Sequence, residues 1–143
     1  MRVVGVDLGT RRIGIAVSDA GGIMATPYST IERSGDPVAD RVRIADVVEE
    51  VGAGLVVVGL PLSMDGAVGP AAAAALAEAD ALRRVVDVAV ECHDERLTSV
   101  TANRALAAAG VTGRRRRQAA RKAGAVDQTA AAILLQSWLD GAR

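Results

Sequence analysis

Two β-branched runs open the chain. Residues 2–8 (Arg-Val-Val-Gly-Val-Asp-Leu) and 12–18 (Arg-Ile-Gly-Ile-Ala-Val-Ser) are separated by Gly9, Thr10 and Arg11, a spacing that predicts a β-hairpin. A third strand is expected over 25–31. Pro27 has no amide hydrogen for a ladder, so this strand belongs at a sheet edge or carries its proline at an unpaired position. The period then changes. Asp36 reads as an N-cap and Pro37 as the first helical residue, and Val38, Val42, Ala45, Val48 and Val51 recur at helical spacing until Gly52 and Gly54 end the helix. Residues 55–59 form a short apolar run of the kind buried on both faces of a sheet. Pro61 and Gly66 mark a loop, and Pro70 opens an alanine-rich helix that extends to Arg84. The last strand is expected over 85–90, running into Glu91, Cys92, His93, Asp94 and Glu95. Thr98 reads as the cap of a helix closed by Gly110, a basic segment covers 113–122, and a final helix is predicted over 125–139.

Three antiparallel strands in a meander, followed by right-handed crossovers, place two parallel strands beside the first. The expected architecture is α/β, a five-stranded mixed sheet with helices on its faces. With 143 residues and no visible linker or repeat, a single domain over 1–143 is expected. A chain of this size buries roughly two-thirds of its unfolded surface, so it folds without disulfide or structural metal. Aromatic residues make up only 1% of the chain, so the core must be aliphatic and base-stacking platforms are disfavoured. One cysteine and one histidine exclude an internal disulfide and a Cys/His zinc site within one chain. No apolar run approaches membrane-spanning length, and the N-terminal run meets Asp7 before a signal-peptide core could form. A cytoplasmic protein with no membrane partner is therefore expected.

Charge changes the picture. The 17 basic and 17 acidic groups cancel, yet residues 96–126 hold eight basic residues and no acid, leaving a net −8 on the rest of the chain. Such a split points to a polyanion held by one face while carboxylates act elsewhere. A solvated basic loop is the alternative, which four consecutive arginines, Arg114 to Arg117, argue against.

Acids at the ends of buried strands carry the candidate chemistry, because a carboxylate in an apolar run is costly unless paired or bound to a cation. Asp7 ends the run Val3 to Val6; it could instead cap the turn at Gly9 and Thr10. Asp94 and Glu95 lie where the last strand leaves the sheet, with Arg96 or Arg104 as competing partners. Asp127, in the first turn of the last helix, shares a stripe with Ala130, Ala131, Leu134 and Trp138; complementing the helix dipole is its simpler role. Oxygen ligands suit hard cations such as Mg²⁺ and Mn²⁺, and two such ions about 3.5–4 Å apart promote phosphodiester hydrolysis. His93, alternating with the acids, reads as structural rather than as a proton shuttle.

These residues bring a family into view. The sequence resembles the YqgF (RuvX) family, within the RNase H-like group that includes Holliday junction resolvases, over nearly the whole chain. The blocks that carry the resemblance are Val-Gly-Val-Asp7-Leu-Gly-Thr-Arg-Arg-Ile-Gly14-Ile-Ala-Val-Ser-Asp19, Gly59-Leu-Pro61-Leu-Ser-Met-Asp65-Gly66, Asp94-Glu95-Arg96-Leu-Thr98-Ser and Val-Asp127-Gln-Thr-Ala-Ala. The resemblance implies an RNase H-like sheet in the order 3-2-1-4-5. It also implies a Mg²⁺- or Mn²⁺-dependent nuclease that processes the 5′ end of pre-16S rRNA in ribosome biogenesis, with junction resolution proposed for some relatives. Carried over by motif, the catalytic and metal-binding positions are Asp7, Glu95 (preferred to Asp94) and Asp127.

The arginines then have a place. Arg11 and Arg12 follow the Asp7 strand, Arg96 follows the acid pair, and Arg114, Arg115, Arg116, Arg117, Arg121 and Lys122 precede the Asp127 helix, so each basic group neighbours an acid in the chain. Arginine contacts to phosphate position a backbone without reading bases, so shape-based, salt-sensitive binding of structured RNA or branched DNA is expected, with a pre-ribosomal particle as a candidate partner. Two rivals stand beside the nuclease. A non-catalytic nucleic-acid or ribosome-assembly module would use only the arginine face. Asp7-Leu-Gly-Thr10 also opens the nucleotide-binding domains of sugar kinases and actin-like ATPases, but those hold ATP between two domains and this chain supplies one; it also lacks a Gly-x-x-x-x-Gly-Lys-Ser/Thr loop. The loop from Leu62 to Gly69 is either a gate or a plain connector. Trp138 and Leu139 either cover the sheet or form a dimer contact, leaving monomer and homodimer open.

Overall fold

A computed structural model describes residues 1–97 and 126–142, with side chains in the second stretch from Ala130 onward. The elements are β1 (Arg2–Leu8), β2 (Arg12–Ser18), β3 (Ala25–Glu32), α1 (Pro37–Val51), β4 (Ala53–Leu60), α2 (Pro70–Arg83), β5 (Ala89–Asp94), a 3-10 turn (Glu95–Leu97) and α3 (Val126–Gly141). One sheet runs β3-β2-β1-β4-β5, antiparallel across β3, β2 and β1 and parallel across β1, β4 and β5. This is the mixed sheet and the strand order expected from the sequence. β3 is an edge strand, and Pro27 pairs opposite Ala16 where the register shifts, so the ladder accommodates a residue without a donor.

Alternation along β1 builds two cores. Val4 and Val6 pack on one face with Ile13, Ile15, Val56 and Val58 beneath Ile44 and Val48 of α1 and Leu82 of α2. Val3 points to the other face, with Ala16, Leu55 and Val57 under Ala131, Leu135 and Leu139 of α3. Helices therefore cover both sides, which is why β1 and β4 read as nearly continuous apolar runs. Gly5 lies on the α3 side. A Cβ there would sit 2.8 Å from Leu135 Cβ and 3.3 Å from the Ala131 carbonyl oxygen, so α3 rests directly on the β1 backbone.

α1 begins and ends as its sequence dictates. The Asp36 side chain accepts from the Val38 amide at 3.0 Å, Pro37 follows it, and Gly52 closes the helix in the left-handed region at φ 67°. Its buried face differs from the expected stripe: Val38 is 62% exposed and Val42 47%, while Asp40, Ile44 and Val48 are buried. Asp40 turns inward because its carboxylate accepts from the Ser34 amide at 3.1 and 3.2 Å and from the Ser34 hydroxyl at 2.8 Å. A polar position thus leads the buried stripe.

The last strand also departs from expectation. It spans Ala89–Asp94 rather than 85–90, because the chain leaves α2 through further turns in which the Val85 and Val86 amides both donate to Leu82 O at 3.0 Å. Pairing begins only at Ala89 opposite Leu55. Val86 and Val88 still pack against the core from outside the strand, and the Arg83 guanidinium ties the end of α2 to the Val90 carbonyl at 2.9 and 3.2 Å. Glu91 and Asp94 therefore lie within β5, and Glu95 just beyond it. The helix predicted from Thr98 to Gly110 and the basic segment over 113–122 lie outside the described residues.

Candidate active site

The parallel strands β1, β4 and β5 deliver their carboxyl ends to one edge, where ligand sites of open α/β sheets form. Asp7 pairs opposite Gly14, and its strand alternation with Val3 and Gly5 sets it on the α3 side. On β4, Gly59 follows Val58, the partner of Val6, and is in register with His93 of β5. Glu95 opens the 3-10 turn and folds back over Gly59. A Cβ on Gly59 would collide with Glu95 Oε1 and lie 3.1 Å from both its Cγ and Cδ.

In that position the Glu95 carboxyl is half-buried and hydrogen-bonded to Asp7. Burial first, then the charge of Asp7 and the hydrogen bond to it, and last the charge of Asp94, push Glu95 up to about 7. Two carboxyl groups in contact away from bulk water favour shared protonation, or a cation between them. Asp94 is engaged elsewhere. It accepts from the Arg96 amide at 2.9 Å and from the guanidinium Nε and Nη2 at 2.9 and 2.6 Å, which holds its carboxyl below the usual range. The neighbour pair expected for one of the two acids therefore falls to Asp94, and it is Glu95 that meets Asp7.

Arg96 extends this arrangement into the loop that follows β4, where its Nη1 donates to Met64 O at 3.3 Å. The loop is internally closed. Gly66 N donates to Ser63 O at 2.8 Å, Ser63 N to Ala67 O at 3.1 Å, and the Asp65 carboxylate accepts from the Ser63 hydroxyl and from Ala67 N. Gly66 sits at φ 84°, a conformation that favours glycine, and Met64 at the tip is 90% exposed.

Asp127 lies in the first turn of α3, one turn before Ala131, whose carbonyl approaches Gly5 two residues from Asp7. Its side chain is outside the described residues, as are Arg114, Arg115, Arg116, Arg117, Arg121 and Lys122. Among the described residues no three His, Cys, Asp or Glu side chains converge as metal ligands; Asp7 and Glu95 make a pair. Arg11 and Arg12 are exposed beyond β1, and Arg12 lies 3.4 Å from Glu32.

Polar contacts fix α3 over the sheet. His93 Nε2 lies 3.0 Å from Ser137 Oγ, and burial holds the imidazole below its ordinary value, in keeping with a structural histidine. Trp138 packs against the α3-side core while its indole donates to Glu91 at 3.1 Å. Gln136 reaches the far edge, accepting from the Ala25 amide at 2.9 Å and donating to Ile23 O at 2.9 Å.

Sequence reasoning missed two residues. Arg33 donates from Nε to Gly9 O at 2.7 Å and from its amide to Arg11 O at 2.9 Å, bracing the turn after Asp7; nothing in its local pattern announced this. Gly59 was legible in principle, as a glycine closing the β-branched run of β4. Beside it a groove of about 300 Å³ is bounded by Leu8, Thr10, Arg33, Pro61 and Glu78.

This sheet, with its paired acids at the carboxyl end of the central strand, is the RNase H-like fold. Thermus thermophilus RuvC in complex with a Holliday junction substrate superposes with a TM-score of 0.58 at 16% identity, covering 99% of this chain and 96% of that one. The fowlpox virus Holliday junction resolvase does so at 0.57 and 12% identity, covering 99% of each chain. At the level of sequence, the family described as "RuvX: Holliday junction resolvase" matches residues 1–141, and the chain belongs to that family. A protein of Nocardia farcinica (strain IFM 10152) is 47% identical over 145 residues, 97% of this chain and 77% of its own length. One of Myxococcus xanthus (strain DK1622) is 45% identical over 143 residues, 100% of this chain and 90% of its own. Both bear the name "Putative pre-16S rRNA nuclease".

Proposed function

We propose that this protein is a cytoplasmic, metal-dependent endonuclease that hydrolyses phosphodiester bonds in structured nucleic acid, with the 5′ end of pre-16S rRNA as its substrate. The observation that carries the reading is the contact between Asp7 and Glu95 at the carboxyl end of the central strand, a half-buried pair of oxygen donors. The relatives' shared name supports the RNA substrate. The family description keeps a branched DNA junction as the second reading.

The donor set fits Mg²⁺ or Mn²⁺, since both prefer oxygen ligands and carboxylates need no histidine or cysteine beside them. Asp7, Glu95 and Asp127 would hold the ion. When bound, it supplies Lewis acidity to the phosphate and a more acidic water. The chain does the rest. Glu95, whose carboxyl burial and the charge of Asp7 push up to about 7, would have to be deprotonated to serve as a ligand beside Asp7. Asp94 and Arg96 fix the turn that carries Glu95. Arg11, Arg12, Arg114 to Arg117, Arg121 and Lys122 hold the phosphate backbone without reading its sequence, and Arg96 has donors left to join them.

Cleavage of a pre-16S rRNA fragment and of a four-way DNA junction, each with Mg²⁺, with Mn²⁺ and with chelator, tests the proposal. The expected result is metal-dependent cutting of the RNA that disappears in Asp7→Asn while binding persists. Full cleavage by that variant would overturn the role of Asp7. Preferential cutting of the junction would move the substrate to DNA, and binding without turnover under every condition would leave a non-catalytic module.

A further inference from the structure

We infer that Gly59 is a positioning residue of this site: its missing side chain is the berth that lets the Glu95 carboxyl lie against Asp7. The inference rests on the nuclease reading for its consequence, though not for its geometry. Nothing in the local backbone calls for glycine. The positive-φ glycines among the described residues are Gly22, Gly35, Gly52 and Gly66, and Gly59 pairs with His93 in a β4–β5 ladder without a register shift. A glycine inside a buried strand forfeits packing and chain stiffness, and the three residues before it are all valine. Two residues earlier on the same face, Val57 carries a full side chain beneath α3.

At position 59 the corresponding space is taken by Glu95, whose Cγ and Cδ would both lie 3.1 Å from an added Cβ and whose Oε1 would collide with it. The other close glycines differ in what they admit: Gly5 admits Leu135 of the core, and Gly54 admits the flexible Met1. Gly59 alone of these three makes room for an ionisable group. The colliding atoms are the far end of a long side chain, so the fold can absorb a methyl group by swinging the carboxyl aside. The loss then appears at Asp7 rather than in stability.

The test is Gly59→Ala, with Gly54→Ala as the control in the same strand. Mn²⁺ binding is titrated by calorimetry, melting temperature is recorded, and the variant is crystallised. Gly59→Ala is expected to melt near the wild-type temperature, to bind Mn²⁺ about 10- to 100-fold more weakly, and to show Glu95 withdrawn from Asp7. Cleavage should lose kcat with the KM for nucleic acid unchanged, and Gly54→Ala should match wild type in each respect. A Gly59→Ala protein that retains the Glu95–Asp7 contact, binds Mn²⁺ as wild type does, or fails to fold overturns the inference. If wild type neither binds Mn²⁺ nor cleaves, the nuclease reading fails, while the position of Glu95 in the variant crystal still decides the role of Gly59.

Discussion

Asp94 and Glu95 are adjacent and chemically alike, yet their surroundings give them opposite tasks. Asp94 is held ionised by Arg96, whereas Glu95, half-buried against Asp7, is pushed the other way. Arg96→Ala should therefore lower kcat through a loosened Glu95 turn in addition to any loss of substrate affinity. Arg96→Lys should recover less than half of the loss, because an ammonium cannot reproduce the paired contact with Asp94; a steady-state comparison of the two variants checks this. Asp40 makes a separate prediction. The Ser34 hydroxyl, ahead of the Ser34 amide, holds its carboxyl below the ordinary 3.8. A group depressed on folding stabilises above its unfolded value and loses that contribution as pH falls through the folded one. Asp40→Asn should thus lower the urea midpoint at pH 7, and the two proteins should converge in acid. Neither acid's task was readable from its own identity; the contrast between Asp94 and Glu95 arises from a turn that only the folded chain defines.

Among the elements, ends were easier to read than faces. Asp36, Pro37 and Gly52 bound α1 by local stereochemistry, so the sequence contained them in full. The start of the buried stripe of α1 is set by the contact of Asp40 with Ser34, between the helix and the loop before it; periodicity placed Val48 and Val51 correctly but put the exposed Val38 and Val42 on the buried face. In the same way β5 starts where its partner β4 offers Leu55, not where the apolar run begins. α3 shows the converse, since its apolar pattern was plain while Gln136, Ser137 and Trp138 hid three anchoring contacts. The close approach at Gly5 allows a sharp test. Gly5→Val forces α3 off β1 and should destabilise by about 1–3 kcal/mol, and Leu135→Ala should remove about 2–5 kcal/mol by leaving a cavity; denaturant titration measures both.

Across the whole molecule, the meander of the first three strands and the parallel strands beside the first follow from element order and connection rules, the order 3-2-1-4-5 from the family resemblance, and the structure has both. The convergence of Asp7 and Glu95 needed both the motif and the return of a 3-10 turn over Gly59. The charge asymmetry predicts long-range behaviour. Changing Arg114 to Arg117 to alanine should weaken binding about equally for all sequences of the same shape. It should also flatten the dependence of log K on log salt by about 0.9 per lost duplex-phosphate contact, as read from affinities between 50 and 200 mM salt, roughly the range where such effects are large. The anchoring of α3 carries one more implication. Its partners on the sheet, from Ile23 to His93, are translated long before it, and contacts so distant in sequence form late. A nascent chain in which α3 has not yet been made has its strands but lacks Asp127, so under the proposed mechanism it stays inert towards nearby RNA until that helix follows.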